Sequence, residues 1–307
     1  MLFRSDLIVE PADGLEPVLQ AVTKAAKTLD IVIFRFDSKP LEKAIEAAVQ
    51  RGVKVRALIA HTNDGGEKRL RQLELRMLQA GVMVSRTADD LVRYHGKLMI
   101  VDREALYVLG FNYTSIDIRS RSFGLISRDR RIVAEALRLF DADALRQEYD
   151  PAVEEFVVSP ENAREQLATF IKRAKKQLAI YDEKLTDPQM IRLLNQRAKA
   201  GVDIRILGKI GKRGRELRVQ KFSGGRLHVR AILRDGDSAF VGSQSLRALE
   251  LDARREVGLI VKDVKVVKGM LEVFEADWAK TELGQKEFKA HEKELKAAEK
   301  EVTLVSA

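Results

Sequence analysis

Two of the four histidines in this chain stand in near-identical settings. His95 opens H-G-K-L-M-I-V-D, with Lys97 and Asp102. His228 opens H-V-R-A-I-L-R-D, with Arg230 and Asp235. An imidazole can act as nucleophile or as general acid and base, because its ordinary pKa lies near neutrality. A lysine or arginine two positions on adds a cation suited to an anionic reactant. Roughly one or two chains in a hundred with four histidines would carry H-x-K-x4-D by accident. A second copy at the matching place of a repeat is much harder to obtain that way. Strand alternation would turn His95 and Lys97 to one side, and likewise His228 and Arg230. Asp102 and Asp235 then precede the turns D-R-E-A and D-G-D-S, with return strands expected over 106–110 and 239–242.

The elements that must hold these residues are written twice. KTLDIVIFRF…AAVQRGVKVRALI and KQLAIYDEKL…QRAKAGVDIRILG align without a gap: Lys27 with Lys176, Leu29 with Leu178, Ile31 with Ile180, Gly52 with Gly201 and Val53 with Val202. Each copy reads as helix, strand, helix, strand. Leu15, Val18, Leu19 and Val22 have helical spacing, and 31–34 and 53–59 are β-branched runs. Gly52 and Gly201 stand where helices should stop. The first copy carries an extra predicted helix, GEKRLRQLELRMLQAG, before its histidine motif. Further on, LRLFDADA matches LEVFEADW, pairing Phe140 with Phe274 and Asp143 with Asp277. The predicted fold class is α/β, with two homologous units of mixed sheet flanked by helices. The expected domains are 1–150, with its motif at 95–102, and 151–307, with its motif at 228–235. Pro151 and Pro160 flank a short strand at the junction. A charge-rich helix over 281–300 is expected to be solvated or docked rather than part of a core.

Composition limits the chemistry. The 307 residues include no cysteine, which excludes disulfides, thiolate zinc sites and cysteine nucleophiles. The formal net charge of +9 favours anionic partners without choosing among nucleic acid, lipid surface and phosphorylated small molecule. No apolar run reaches the length of a membrane span. Arg4 and Asp6 interrupt the only apolar stretch near the start, which reads against a secretory signal. The expected location is the cytoplasm, with peripheral contact at a membrane if the substrate is a lipid.

The duplicated motif resembles the signature of the phospholipase D superfamily, H-x-K-x4-D-x6-G-S-x-N in two copies, and the likeness spans nearly the whole chain. It implies a double α/β architecture about a pseudo-twofold axis, with both histidines meeting at the interface. Each copy departs from the pattern. The first reads Leu109-Gly110-Phe111-Asn112, keeping the Asn. The second reads Gly242-Ser243-Gln244-Ser245, keeping the Gly and Ser, and has Arg230 for Lys. The downstream acidic residue of the family is matched by Glu256, whereas the first copy aligns Ser122 there. The resemblance therefore implies one shared site made from His95, His228, Lys97, Arg230, Asn112, Ser243 and Glu256. It implies that His95 attacks phosphorus to form a phosphohistidine, that His228 is general acid and base, and that Glu256 holds the attacking ring. Asp102 and Asp235 would brace their hairpins, and no metal or cofactor is called for.

Ahead of the second motif, 208–226 is rich in glycine and cations but lacks the nucleotide P-loop pattern. Lys209, Lys212, Arg213 and Arg215 are candidate anion contacts there, against a merely solvated basic loop. Arg119 and Arg121 carry the same ambiguity. Three functional classes follow: hydrolysis or transfer of phospholipid headgroups, which the two-copy layout and ELDARREVGLIV favour by their likeness to bacterial phospholipase D and cardiolipin-synthase-like proteins; a nuclease; and a non-catalytic anion-binding relative. Sparse aromatics, 6% of residues, leave little to stack bases. The duplication lets a monomer suffice. His95→Asn should lower turnover of a generic phosphodiester by several powers of ten, beyond the roughly 10²–10⁴-fold of acid–base help alone; full retained turnover would exclude a nucleophilic role.

Overall fold

The computed structural model describes residues 5–63, 67–214 and 216–305, with side chains to residue 293. The first part of the chain forms β1 (Ser5–Glu10), α1 (Glu16–Lys24), β2 (Thr28–Ile33), α2 (Lys39–Gln50), β3 (Lys54–Ile59), α3 (Glu67–Gln79), β4 (Met83–Arg86), β5 (Arg93–Tyr94), β6 (Leu98–Val101), β7 (Ala105–Leu109), β8 (Ser122–Ser127) and α4 (Arg130–Leu145). The rest forms β9 (Phe156–Ser159), α5 (Ala163–Lys172), β10 (Gln177–Leu185), α6 (Pro188–Lys199), β11 (Asp203–Ile210), β12 (Arg218–Gln220), β13 (Arg230–Arg234), β14 (Ser238–Gly242), α7 (Ala248–Asp252), β15 (Arg254–Val261), α8 (Val264–Trp278) and α9 (Glu282–Val305).

The repeat becomes two mixed sheets of matching order. One runs β1-β8-β7-β6-β2-β3-β4. The other runs β12-β11-β10-β13-β14-β15-β5, with β9 also paired to β15. In each, a parallel pair from the strand–helix–strand unit (β2 with β3, β10 with β11) lies beside the antiparallel hairpin that follows the histidine (β6–β7, β13–β14). The helices start and stop as their sequences direct. Ser38 caps α2 and Asp187 caps α6, each ahead of a proline in the first turn. Both helices end just before Gly52 and Gly201, at φ +89° and +87°. Leu41, Ile45 and Ala48 on α2, and Met190, Ile191 and Leu194 on α6, are buried in the two outer cores.

A third core is common to both halves. It joins Leu98, Ile100, Val108, Phe123 and Phe140 of the first to Tyr181, Ala231, Val241, Val257 and Phe274 of the second, with α4 and α8 between. The crossed ion pairs at its edge follow the same symmetry. Arg121 binds Asp277 at 2.7 Å, and Arg255 binds Asp143 at 3.1 Å. The first turns of α9 dock on the second half, where Leu283 N–H donates to Gln220 and Trp278 Nε1 donates to Glu287. No helix among the described residues is long and apolar enough to cross a membrane.

The strand reading of the motifs needs correction. β6 begins at Leu98 and β13 at Arg230, so His95, Lys97 and His228 precede their strands. The reason is that the peptides at 95 and 96 bond outside the hairpin: His95 N–H and Gly96 N–H both donate to Arg255 O, at 2.7 and 3.0 Å. His228 N–H donates to Arg121 O at 3.0 Å. Asp102 and Asp235 close the hairpin turns with φ near +53° and +55°. The Asp102 carboxylate accepts N–H groups of Ala26, Lys27 and Thr28; that of Asp235 accepts those of Lys175, Lys176 and Gln177. Each thus ties a hairpin to the loop entering β2 or β10. Partial burial alone would raise both carboxyl pKa values, but the three backbone donors outweigh it and hold both below the usual range. With the folded pKa depressed, their stabilisation is present above about pH 4 and lost on acidification through the folded pKa. Asp102→Ala and Asp235→Ala should each lower stability by about 1–3 kcal/mol, since three donors lose their acceptor; urea denaturation at neutral pH measures this.

Candidate active site

The loops that carry the histidines are exchanged between the halves. Arg93 and Tyr94 of β5 run parallel to Arg254 and Arg255 of β15. The equivalent bridge joins Leu227 to Arg121. Each histidine backbone is therefore hydrogen-bonded to the other half. Arg255, 7% exposed, adds Ser159 O at 3.0 Å and the Glu161 carboxylate to its Asp143 pair. Arg121 adds Glu10 O at 2.7 Å, and Asp277 also accepts Tyr181 O–H at 2.7 Å. Arg121 is thus a structural cation of the interface rather than a substrate contact. Arg119 donates to Ser115 O.

His95 and Glu256 meet across this interface, with Nδ1 to Oε2 at 2.8 Å. Glu256 is fully buried and reaches Arg254 only at 3.9 Å. With Nδ1–H given to the carboxylate, Nε2 keeps its lone pair. Lys97 folds over the ring: Nζ is 3.0 Å from both ring nitrogens and donates to His95 O at 2.7 Å. The Phe34 ring meets the imidazole edge-on at 4.5 Å between centroids, and Lys97 Nζ also lies 5.5 Å from its centre. Burial, then Lys97 and Arg230, depress the His95 imidazolium. Burial raises the Glu256 carboxyl against Lys97, Ser243 and Arg230. The result is a neutral, oriented imidazole, the state a nucleophile needs.

His228 is also buried. Burial and then Arg230 push its pKa down, Asp117 opposes, and Lys97 adds to the fall. Lys97 and Arg230 thus lie near enough to act on both imidazoles. Arg230 Nε donates to Ser245 at 3.2 Å, and its NH2 pairs with Glu183 at 3.3 Å. Ser243 Oγ accepts Val257 N–H at 3.2 Å and acts against the rise that burial causes in the Glu256 carboxyl. Asn112 donates its backbone N–H and side-chain amide to Asp117, at 2.9 and 2.5 Å. Gly110, where the family pattern has Ser, has no room for a side chain: a Cβ there would lie 2.8 Å from Phe123 O and 3.0 Å from Ser122 Oγ.

Lys209, Lys212 and Arg213 are exposed, at the end of β11 and in the turn after it, and none of the described contacts links them to either imidazole. Arg215 lies outside the described residues. The residues that motif reasoning passed over are Phe34 and Asp117. Phe34 follows β2 directly, and Asp117 sits in a turn of 3-10 helix outside the motif register. Its only sequence signal is its position five residues beyond Asn112, matched by Glu250 beyond Ser245.

The family model described as "Cardiolipin synthase, PLD-like domain" matches twice, over residues 18–144 and 167–278. Mitochondrial cardiolipin hydrolase of Mus musculus is 32% identical over 142 residues, covering 45% of this chain and 60% of that protein. The Homo sapiens protein of that name is 31% identical over 130 residues, covering 42% and 50%. The chain spans about half the length of the curated relatives it matches. Among solved structures, polyphosphate kinase from Porphyromonas gingivalis superposes with a TM-score of 0.75 at 19% identity, over 89% of this chain and 46% of that one. Phosphatidylserine synthase from Haemophilus influenzae gives 0.69 at 10% identity, over 89% and 85%. At these identities the two structures share the fold.

Burial lowers the Lys97 ammonium to about 7, with Glu256 opposing and Arg230 adding to the fall. Its charge is present below that pH and lost above it. The kcat/KM for an anionic phosphodiester should therefore decline above about pH 7. Lys97→Arg, a cation that does not titrate there, should move the decline to higher pH; coincident profiles for the two proteins would exclude Lys97 as the titrating group.

Proposed function

Because the chain belongs to the phospholipase D superfamily and carries its domain twice, we propose that it is a phosphodiesterase working through a phosphohistidine, without a metal, on phospholipid headgroup esters. The observation that carries this reading is the His95–Glu256 contact across the two halves, with Lys97 and Arg230 charging the same site. His95 Nε2 bonds to phosphorus as the bond to the leaving oxygen breaks, and His228, which takes up a proton once the anionic phosphate offsets the cations that depress it, gives that oxygen the proton. Water or an alcohol then attacks the phosphoryl group, its proton passes to His228, and the His95 nitrogen leaves. Lys97 and Arg230 balance charge on the non-bridging oxygens as the transition state forms. Arg230 acts by charge alone, since a guanidinium does not give up a proton near neutral pH.

Support for a lipid comes from the description of the matched domain and from the relatives whose name is cardiolipin hydrolase. The net charge of +9 suits an anionic bilayer, which concentrates a basic protein at its surface. The experiment compares turnover of cardiolipin vesicles, phosphatidylglycerol vesicles, single-stranded DNA and RNA, all with EDTA, and quenches the reaction for mass spectrometry. The expected result is faster cleavage of lipid and an acid-labile phosphoryl group on His95 that His95→Asn lacks. Preferential cleavage of a nucleic acid would replace the lipid reading with the nuclease. Turnover with no phosphorylated imidazole would remove the covalent mechanism.

A further inference from the structure

We infer that Asp117 is the positioning residue of His228, a carboxylate supplied by the turn after β7 in place of the strand position from which Glu256 serves His95. The inference deepens the reading above and rests on it. Ser122, aligned with Glu256, has no charge to offer, and its hydroxyl is spent on His228 O at 3.2 Å. His228 Nδ1 is buried and has no hydrogen-bond partner among the described residues. Asp117 Oδ1 lies 3.7 Å from it. Asp117 is 2% exposed and fixed in place: it accepts both N–H groups of Asn112, and Arg226 NH1 at 2.5 Å. The matching acid of the second half, Glu250, does other work. It accepts Ser245 N–H at 2.6 Å and turns its second oxygen to Arg247 and Arg254. The second half thus holds a carboxylate in contact with His95, while the first half holds one just short of contact with His228.

That difference fits the two tasks. A nucleophilic ring is best held in one tautomer throughout, which a 2.8 Å contact achieves. A ring that loses and regains a proton in each cycle faces three cations, Arg230, Lys97 and Arg226, and one anion, Asp117. When His228 is protonated, Nδ1–H gains Asp117 as acceptor by a small ring movement. When the proton passes to the leaving oxygen, that contact relaxes. Asp117 therefore acts on the proton-transfer step and not on attack by His95.

The test varies the leaving group. Asp117→Asn keeps an oxygen for Asn112 and removes the charge facing His228. Single-turnover cleavage is measured on two substrates that differ only in the departing alcohol: phosphatidyl-p-nitrophenol and phosphatidylglycerol if the native chain takes lipid, or thymidine 5′-(p-nitrophenyl phosphate) and dithymidine monophosphate if it takes nucleic acid. Nitrophenolate leaves unaided, whereas an alkoxide needs the proton. The expected loss is about 10²-fold with the alkyl leaving group and under about 3-fold with nitrophenolate. Arg119→Gln, which removes the bond to Ser115 O in the same turn and touches neither Asp117 nor His228, should leave the ratio of the two rates near its native value. Equal losses on both substrates in Asp117→Asn, or the same split in Arg119→Gln, would overturn this inference alone. A native chain that cleaves no phosphodiester at all would overturn the functional reading and this inference with it.

Discussion

Two peptide carbonyls, of Arg121 and Arg255, receive the backbone N–H groups of the two catalytic-type histidines from the opposite half. A buried carbonyl and a buried amide that lack partners are costly, so these bonds fix where each histidine loop can lie. The arginine side chains lock the same two residues from the other direction, each against an aspartate of the opposite half. Breaking a buried pair of this kind costs several kcal/mol, because the remaining charge is left without a counterion. The imidazoles are therefore positioned by the seam between the halves, and the flexible side chains need to supply only the last rotation.

The two copies are alike in backbone and unlike in side chains, and the differences are complementary. Glu256 occupies one strand position and Ser122 its counterpart. Ser243 stands where the other half has Gly110, and a side chain at 110 would run into Phe123 O, with Ser122 Oγ close behind it. Lys97 and Arg230 differ in a way that matters at low dielectric. Burial brings the lysine to about 7, while the other half offers a planar guanidinium that can grip two phosphate oxygens at once. The surroundings of the two imidazoles are asymmetric, with a carboxylate 2.8 Å from one and 3.7 Å from the other.

Much of this was legible in the sequence because the duplication supplied its own control. The repeat located the strand–helix–strand units, the glycines that stop α2 and α6, and the hairpins, and the prolines at 151 and 160 bracketed the short strand β9. Glu256 was legible by alignment with the family pattern. What the sequence did not carry was the long-range pairing. Arg121 read as a candidate anion contact or a solvated cation because its partner, Asp277, lies more than a hundred residues away, and the pairing of Arg255 with Asp143 is as distant. The motif histidines read as strand residues because alternation cannot reveal that their amides bond to another segment. Lys97 meets His95 by folding back over the ring, a contact that sequence spacing alone does not encode. Asp117 was passed over because a short polar turn, IDIRS, looks like many others.

The shared middle core has a consequence for concentration. In a molecule assembled from two separate single-domain subunits, such a site would exist only while the subunits remained together, and dilution would abolish it. Here one chain contributes both faces of that core, so each half meets the other at an effective concentration set by the tether near residue 150 rather than by expression level. A catalyst built this way keeps its full complement of groups at a handful of copies per cell.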